Sequence, residues 1–199
     1  KSVEALIRWQ HPTHGFLSPA IFLPILEANE RMSDLTDWII NEVCIQLRDW
    51  QQEDLLPKQA SINIPGPYLT SDRLMDVLKS TTKKYGIPPK AIELEITETS
   101  FVKTIAGAEK AVNEFCKAGF SVALDDFGTG VSSLSYLKRI PVTTLKIDKS
   151  FIDDVPASTK DASIIKSVVQ LGNSLNMEVV VEGVETEEQV QFLIEHCCT

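Results

Sequence analysis

Short runs of apolar and β-branched residues alternate along this chain with longer stretches of helical period. That alternation predicts βα units around a largely parallel sheet. The strand runs cover residues 3–9, 60–64, 92–97, 121–124, 144–147 and 178–181. The first helix has Ser18 as N-cap and Pro19 at its first position, where the missing N–H costs nothing. A second begins near Asp34, with Leu35, Trp38, Ile39, Val43, Leu47 and Trp50 on one apolar stripe. A third runs over 72–85 and is stopped by Gly86, Pro88 and Pro89. Helices over 106–118, 161–175 and 187–195 complete the series. No repeat, low-complexity tract or linker divides the chain, so one domain over 1–199 is expected.

Two architectures accommodate such units, an open doubly wound sheet and a closed barrel of eight. No G-x-G-x-x-G follows the first strand, and the glycine-rich turn Gly128-Thr129-Gly130 lies late in the chain, which argues against the dinucleotide-binding sheet. A barrel of this kind usually takes ~250 residues. This chain has 199, opening on a strand and stopping just after a helix. The expectation is therefore an α/β fold, a (β/α)8 TIM-type barrel apparently lacking its first and last strands.

Charge narrows the function. A net charge of −9 and a pI near 4.9 argue against wrapping long nucleic acid, which needs clustered Lys and Arg. A small phosphorylated ligand remains compatible if metal ions supply positive charge. The four cysteines lack zinc-ligand spacing: Cys44 and Cys116 lie in helical patterns, and Cys197 and Cys198 are adjacent. Reduced thiols and a cytoplasmic setting are expected. No apolar run approaches the ~20 residues of a membrane-spanning helix, which leaves open an anchor on another part of a parent protein.

The chemistry collects at the strand ends. Glu4 lies in the first run and Asn63 in the second; Glu95 and Glu98 follow in the third, and Asp125 and Asp126 close the fourth. Lys146 and Asp148 belong to the fifth, Glu182 and Glu185 to the sixth. In a parallel barrel these ends converge on one face, where barrel enzymes build their sites. An acid after a strand is often only a helix cap, and that reading is preferred for Asp148 and Glu185. Glu4 and Glu95 stand within strands at positions that alternation turns toward the core, where a carboxylate needs a counter-charge. Carboxylates with one amide oxygen suit Mg²⁺ or Mn²⁺. Two such ions ~3.5–4 Å apart are a standard device for phosphodiester hydrolysis, with adjacent aspartates at a strand-to-loop junction able to hold both. Lys146, if aimed at the same pocket, orients the water or offsets phosphate charge. Arg8, four residues after Glu4 and so on the same strand face, could grip a phosphate oxygen. Residues 126–130 read as a mobile, glycine-hinged loop that completes the site. His11, His14 and His196 are isolated and read as structural.

Six blocks carry a resemblance. VEALIRWQHP from Val3, ELEITE from Glu93, DDFGTG from Asp125, SLSYLKRIPV from Ser133, LKIDKSFI from Leu145 and VEGVETEEQ from Val181 together resemble the EAL phosphodiesterase domain, in order and over nearly the whole chain. The resemblance implies cleavage of cyclic di-GMP to linear pGpG with two Mg²⁺ or Mn²⁺ ions. Carried over by position, Glu4, Asn63, Glu95, Asp125, Asp126 and Glu182 form the metal-binding and water-activating shell. Glu182 is also a general-base candidate, Lys146 positions the water, Arg8 holds substrate phosphate and Glu98 anchors the loop after the aspartates.

The sequence departs from the family pattern in several places. An opening strand with Tyr-Gln-Pro and a final strand with Gln-Gly-Tyr are not found. Ile64-Pro65-Gly66-Pro67 stands where a serine-containing turn is usual, and Val131 where a tyrosine is usual. A barrel without its end strands leaves unpaired edges that invite association, and a homodimer is expected. So are sensor or GGDEF-type domains in the parent protein. The alternative to an enzyme is a catalytically inactive EAL domain acting as a cyclic-di-GMP receptor or interaction module.

Overall fold

The computed structural model describes residues 1–103, 105–129 and 136–196; Gly130, Val131, Cys197 and Cys198 lie outside the described residues. The elements follow as β1 (Val3–Glu4), β2 (Trp9–His11), β3 (Gly15–Leu17), α1 (Pro19–Ala28), α2 (Met32–Gln52), β4 (Ala60–Asn63), α3 (Gly66–Leu69), α4 (Asp72–Tyr85), β5 (Ile92–Thr97), α5 (Glu98–Lys103), α6 (Ile105–Lys117), β6 (Ser121–Phe127), β7 (Thr144–Ile147), α7 (Thr159–Ser174), β8 (Glu178–Val181) and α8 (Glu187–Glu195). Apart from the β2–β3 hairpin, strand order in the sheet is β1-β4-β5-β6-β7-β8. A strictly sequential order is that of a (β/α) barrel. The doubly wound sheet reverses at a switch point.

Packing divides the chain into two compact units: residues 1–94 with 117–121, and residues 95–116 with 122–199. In the first unit β1 pairs parallel with β4, Val3 opposite Ala60 and Glu4 opposite Ser61. The ladder ends one residue later, where Ala5 N–H donates to the Ser61 carbonyl at 3.0 Å. The expected strand over 3–9 is therefore two pieces. After residues 5–8 the chain enters a separate antiparallel hairpin, Trp9 opposite Leu17 and His11 opposite Gly15. His11 Nδ1 accepts the backbone N–H of Thr13 and of His14, each at 3.2 Å, so this histidine caps the hairpin turn.

Helix α2 packs on α4 and buries Thr36, Ile40, Cys44 and Leu47 along one line. This line is rotated from the expected stripe, leaving Trp38 at 53% exposure. The buried Thr36 hydroxyl is satisfied by donating to the Met32 carbonyl at 2.8 Å. Helix α4 starts on a Ser71 side-chain cap and stops at Gly86, whose φ of +70° is the left-handed conformation of a helix stop.

In the second unit β6, β7 and β8 run parallel, with Leu124 opposite Leu145 and Lys146 opposite Val180. Alternation sends Ile147, Val179 and Val181 into an apolar cluster with Ala162, Ile165 and Val169 of α7 and Phe192 and Leu193 of α8. Burying such side chains stabilises by roughly 1.5–3 kcal/mol each. Lys146, one residue out of phase, faces the other way. Helix α8 opens with a capping box, Thr186 and Gln189 each bonding the other's backbone. Thr186, rather than Glu185, is thus its N-cap. Asp148 does cap, accepting Ser150 N–H at 3.1 Å at the 3-10 turn Lys149–Phe151. Among the described residues no helix is long and apolar enough to cross a membrane.

Candidate active site

The paired aspartates owe their disposition to a β-bulge. Between Leu124 opposite Leu145 and Phe127 opposite Ile147, β6 carries one residue more than β7, and Asp126 takes a φ of +54°. Aspartate tolerates that left-handed conformation better than most residues, and a bulge re-aims side chains. Asp126 N–H donates to Asp125 Oδ1 at 3.0 Å. The aspartates do not simply close the strand run after Leu124; they lie within β6.

Asp125 is one of three carboxylates gathered by Lys146. The ammonium of this buried lysine lies 2.5 Å from Glu182 Oε1, 2.8 Å from Glu95 Oε1 and 3.6 Å from Asp125 Oδ1. Burial alone would lower the lysine pKa; hydrogen bonds to Glu182 and Glu95, with the charge of Glu95 and Asp125, overcome it and raise the value well above the ordinary range. Lys146 therefore stays protonated at neutral pH. The side chains grade in access, with Glu95 1% exposed, Asp125 12% and Glu182 31%. Glu182 is the carboxylate that solvent reaches. The Asp126 pKa is raised, first by burial and then by the charges of Asp125, Asp148 and Glu182, against which Lys146 acts only in part.

Glu98, fully buried at the start of α5, accepts the Gly128 N–H at 3.0 Å and the Tyr136 hydroxyl at 3.0 Å. It thereby grips described residues on both sides of 130–135. Tyr136 packs against Phe101 at 5.3 Å between ring centroids. Burial and the neighbouring Glu98 charge push its pKa up, keeping the phenol a donor. Sequence reading gave Tyr136 no role, although it lies within the SLSYLKRIPV block.

In the first unit Asn63 Nδ2 donates to Glu4 Oε1 at 3.0 Å, leaving the amide carbonyl as the electron-pair donor of Asn63. Glu4 is exposed rather than core-facing, because β1 is an edge strand. Arg8 shares no strand with Glu4. It lines a groove of about 420 Å³ with Leu6, Ile7, Trp38 and Glu42, and its Nη1 donates to the Ile7 carbonyl at 2.8 Å. Glu185, exposed, pairs with Lys149 at 2.6 Å.

Among the described residues no three or more His, Cys, Asp or Glu are grouped to hold a metal ion as they stand. In the second unit the Lys146 ammonium sits among the carboxylates. The donor chemistry nevertheless fits a hard divalent cation. Glu95, Asp125, Asp126 and Glu182 offer only carboxylate oxygens, and the burial and neighbouring negative charge that raise the Asp126 pKa are what a cation would offset.

The comparisons with known proteins agree on the family. The EAL domain model matches residues 1–199. The bifunctional diguanylate cyclase/cyclic di-GMP phosphodiesterase MucR of Pseudomonas aeruginosa is 35% identical over 98% of this chain and 29% of its own length. The cyclic di-GMP phosphodiesterase NbdA of the same organism is 37% identical over 98% of this chain and 25% of its own. The chain thus spans between a quarter and a third of the length of these relatives. The solved PaMucR phosphodiesterase in complex with c-di-GMP superposes with a TM-score of 0.93 at 35% identity, over 98% of this chain and 79% of that one. With the sequential strand order, the bulged Asp125–Asp126 pair and the six sequence blocks, these likenesses establish that the chain belongs to the EAL domain family.

Proposed function

We propose that this domain is a metal-dependent phosphodiesterase that hydrolyses cyclic di-GMP to linear pGpG in bacterial second-messenger signalling. The observation that carries the reading is the buried Lys146 ammonium held among Glu95, Asp125 and Glu182. Support comes from the phosphodiesterase relatives and from the c-di-GMP complex of a 35% identical structure. Glu95, Asp125, Asp126 and Glu182 would hold divalent cations, and the resemblance adds Glu4 and Asn63 to the ligand set. When bound, two Mg²⁺ or Mn²⁺ ions would supply an activated water and charge stabilisation at the phosphorus.

The protein groups have separable roles in this reading. Lys146 remains an ammonium, so it donates hydrogen bonds and orients the attacking oxygen rather than taking its proton. Glu182, the most solvent-accessible carboxylate of the cluster, is the group able to accept that proton, at the oxygen not bound by Lys146. Arg8 binds a phosphate oxygen, and Glu98 holds the Gly128 backbone that follows the aspartates. In the parent protein we place this domain beside sensor or GGDEF-type domains, in the cytoplasm and as a homodimer, which size measurement in solution would check.

The receptor reading draws on the same ammonium. Lys146 already offsets part of the carboxylate charge, and would let a phosphate ligand bind with no cation. Incubation with cyclic di-GMP and Mg²⁺ or Mn²⁺, followed by chromatography, separates the two. Product pGpG that disappears with EDTA supports the enzyme. Tight binding without product supports the receptor.

A further inference from the structure

The 3-10 turn Lys149–Phe151 that follows β7 touches both of its flanking loops. On one side the Phe151 ring covers Gly128, whose φ is +97°; a methyl there would lie 3.0 Å from ring atoms Cε2 and Cζ. On the other side the alkyl stem of Lys149 covers Gly183, whose φ is +70°; a methyl there would lie 2.4 Å from Cγ and 2.7 Å from Cβ and Cδ. Both glycines need the left-handed conformation and the absence of a side chain. Beyond the stem, the Lys149 ammonium reaches Glu185 at 2.6 Å, so the lysine spans the segment from Gly183 to Glu185. The turn itself is braced. Asp148 accepts both the N–H and the hydroxyl of Ser150, and Phe151 packs on the cluster beneath β7 and β8.

We propose that Lys149 and Phe151 are positioning residues: the lysine stem straps the loop that carries Glu182, and the Phe151 ring seats the loop behind Asp125 and Asp126. The inference rests on the phosphodiesterase reading for the roles of those acids, but the strap is defined by packing alone. Glu182 immediately precedes Gly183, and its N–H is fixed to the Ile147 carbonyl at 3.0 Å. A shift of Gly183 therefore rotates the Glu182 side chain relative to the Lys146 ammonium. Displacements near 1 Å are enough to cost about a hundredfold in rate. The stem, not the charge, does the positioning, since the Lys149–Glu185 pair is solvent-exposed and such pairs hold little energy.

The test uses this chain with Lys149→Ala, Lys149→Met, Gly183→Ala and Phe151→Ala. Hydrogen exchange by mass spectrometry reads segments 181–186 and 126–129 without substrate, and steady-state hydrolysis of cyclic di-GMP reads kcat and KM. Lys149→Ala and Gly183→Ala are expected to speed exchange in 181–186 at least tenfold and to lower kcat at least tenfold, with KM within about twofold. Phe151→Ala should do the same for 126–129. Lys149→Met, which keeps the stem and removes the charge, should restore both readouts. Unchanged exchange in 181–186 on Lys149→Ala overturns the proposal, as does a Lys149→Met variant no better than Lys149→Ala. If Lys149→Ala loses protection throughout the chain, Lys149→Met and Phe151→Ala decide by the same criteria. Failure of the parent chain to hydrolyse cyclic di-GMP overturns the phosphodiesterase reading instead, and the exchange result still decides the strap.

Discussion

Lys146 Nζ lies 2.5 Å from Glu182 Oε1, and the same ammonium is the counter-charge of the almost fully buried Glu95. Lys146→Met removes the partner of carboxylates that cannot all reach water. Breaking a buried pair from one side costs about 3–5 kcal/mol, and the lower end applies here because Glu182 is partly solvated. The expected outcome is a loss near 3 kcal/mol in urea unfolding, together with at least a hundredfold fall in hydrolysis. The pH dependence follows from the raised lysine pKa. Folded-state stabilisation is fully present below the unfolded lysine value of about 10.4 and fades as pH rises through the higher folded value. Stability measured between pH 9 and 12 should fall more steeply in the parent chain than in Lys146→Met.

Asp126 is expected to show the opposite balance between stability and function. Its carboxyl is raised by burial and by Asp125, Asp148 and Glu182, so ionisation works against the fold. The contribution is most favourable below the unfolded aspartate value of about 3.9 and is lost as pH rises through the raised folded value. Asp126→Asn removes the charge and keeps a residue that tolerates φ near +54°. Without divalent cations at pH 7, this variant should unfold at a higher urea concentration than the parent; with Mg²⁺ or Mn²⁺ restored, it should fail to produce pGpG where the parent produces it. An unfolding midpoint at or below the parent value would contradict the repulsion argument.

Much of this fold was legible because local signals and tertiary placement agree. β5, β7 and β8 are compact apolar runs between helices, and α4 is bounded by Ser71 and Gly86, whose conformations admit no continuation. The first strand misled because alternation over 3–9 does not reveal that the β4 ladder stops beyond Ala5. It also hides that Trp9 then pairs with Leu17. The acids of the site were visible as types, whereas their grouping was not. Lys146 meets Glu95, Asp125 and Glu182 through strand register and a bulge at Asp126, neither of which leaves a periodic trace. Gly183 carried no reading of its own in the sequence. Its role appears only when the Lys149 stem is seen lying on it.

Divalent cations should stabilise the chain in the absence of any substrate. A ligand bound only by the folded state at a hundred times its Kd adds about 2.7 kcal/mol. For a chain of this size that is a rise of roughly 5–10 °C in Tm. Thermal unfolding with Mg²⁺ or Mn²⁺ against EDTA is the measurement, with Glu95→Gln and Asp125→Asn as controls that should lose the shift. No shift in the parent at millimolar cation would remove the metal from the proposed function and favour the receptor.

Tyr136→Phe isolates the hold that Glu98 exerts on the segment following Asp125 and Asp126. The phenol donates to a fully buried carboxylate at 3.0 Å, and a hydrogen bond to a charged group contributes about 1.5–3 kcal/mol. Phenylalanine keeps the packing on Phe101, so the loss should be confined to that bond, and a urea-unfolding change near 2 kcal/mol is expected. Glu98 would still accept the Gly128 N–H, so the turn after Phe127 keeps its attachment to Glu98 and hydrolysis should fall by less than in Glu98→Gln. That variant keeps one carbonyl acceptor but loses the charge, weakening both attachments. Should Tyr136→Phe impair turnover more than Glu98→Gln, the tyrosine would have a role beyond its bond to Glu98, and the clamp would need to be reassigned to it.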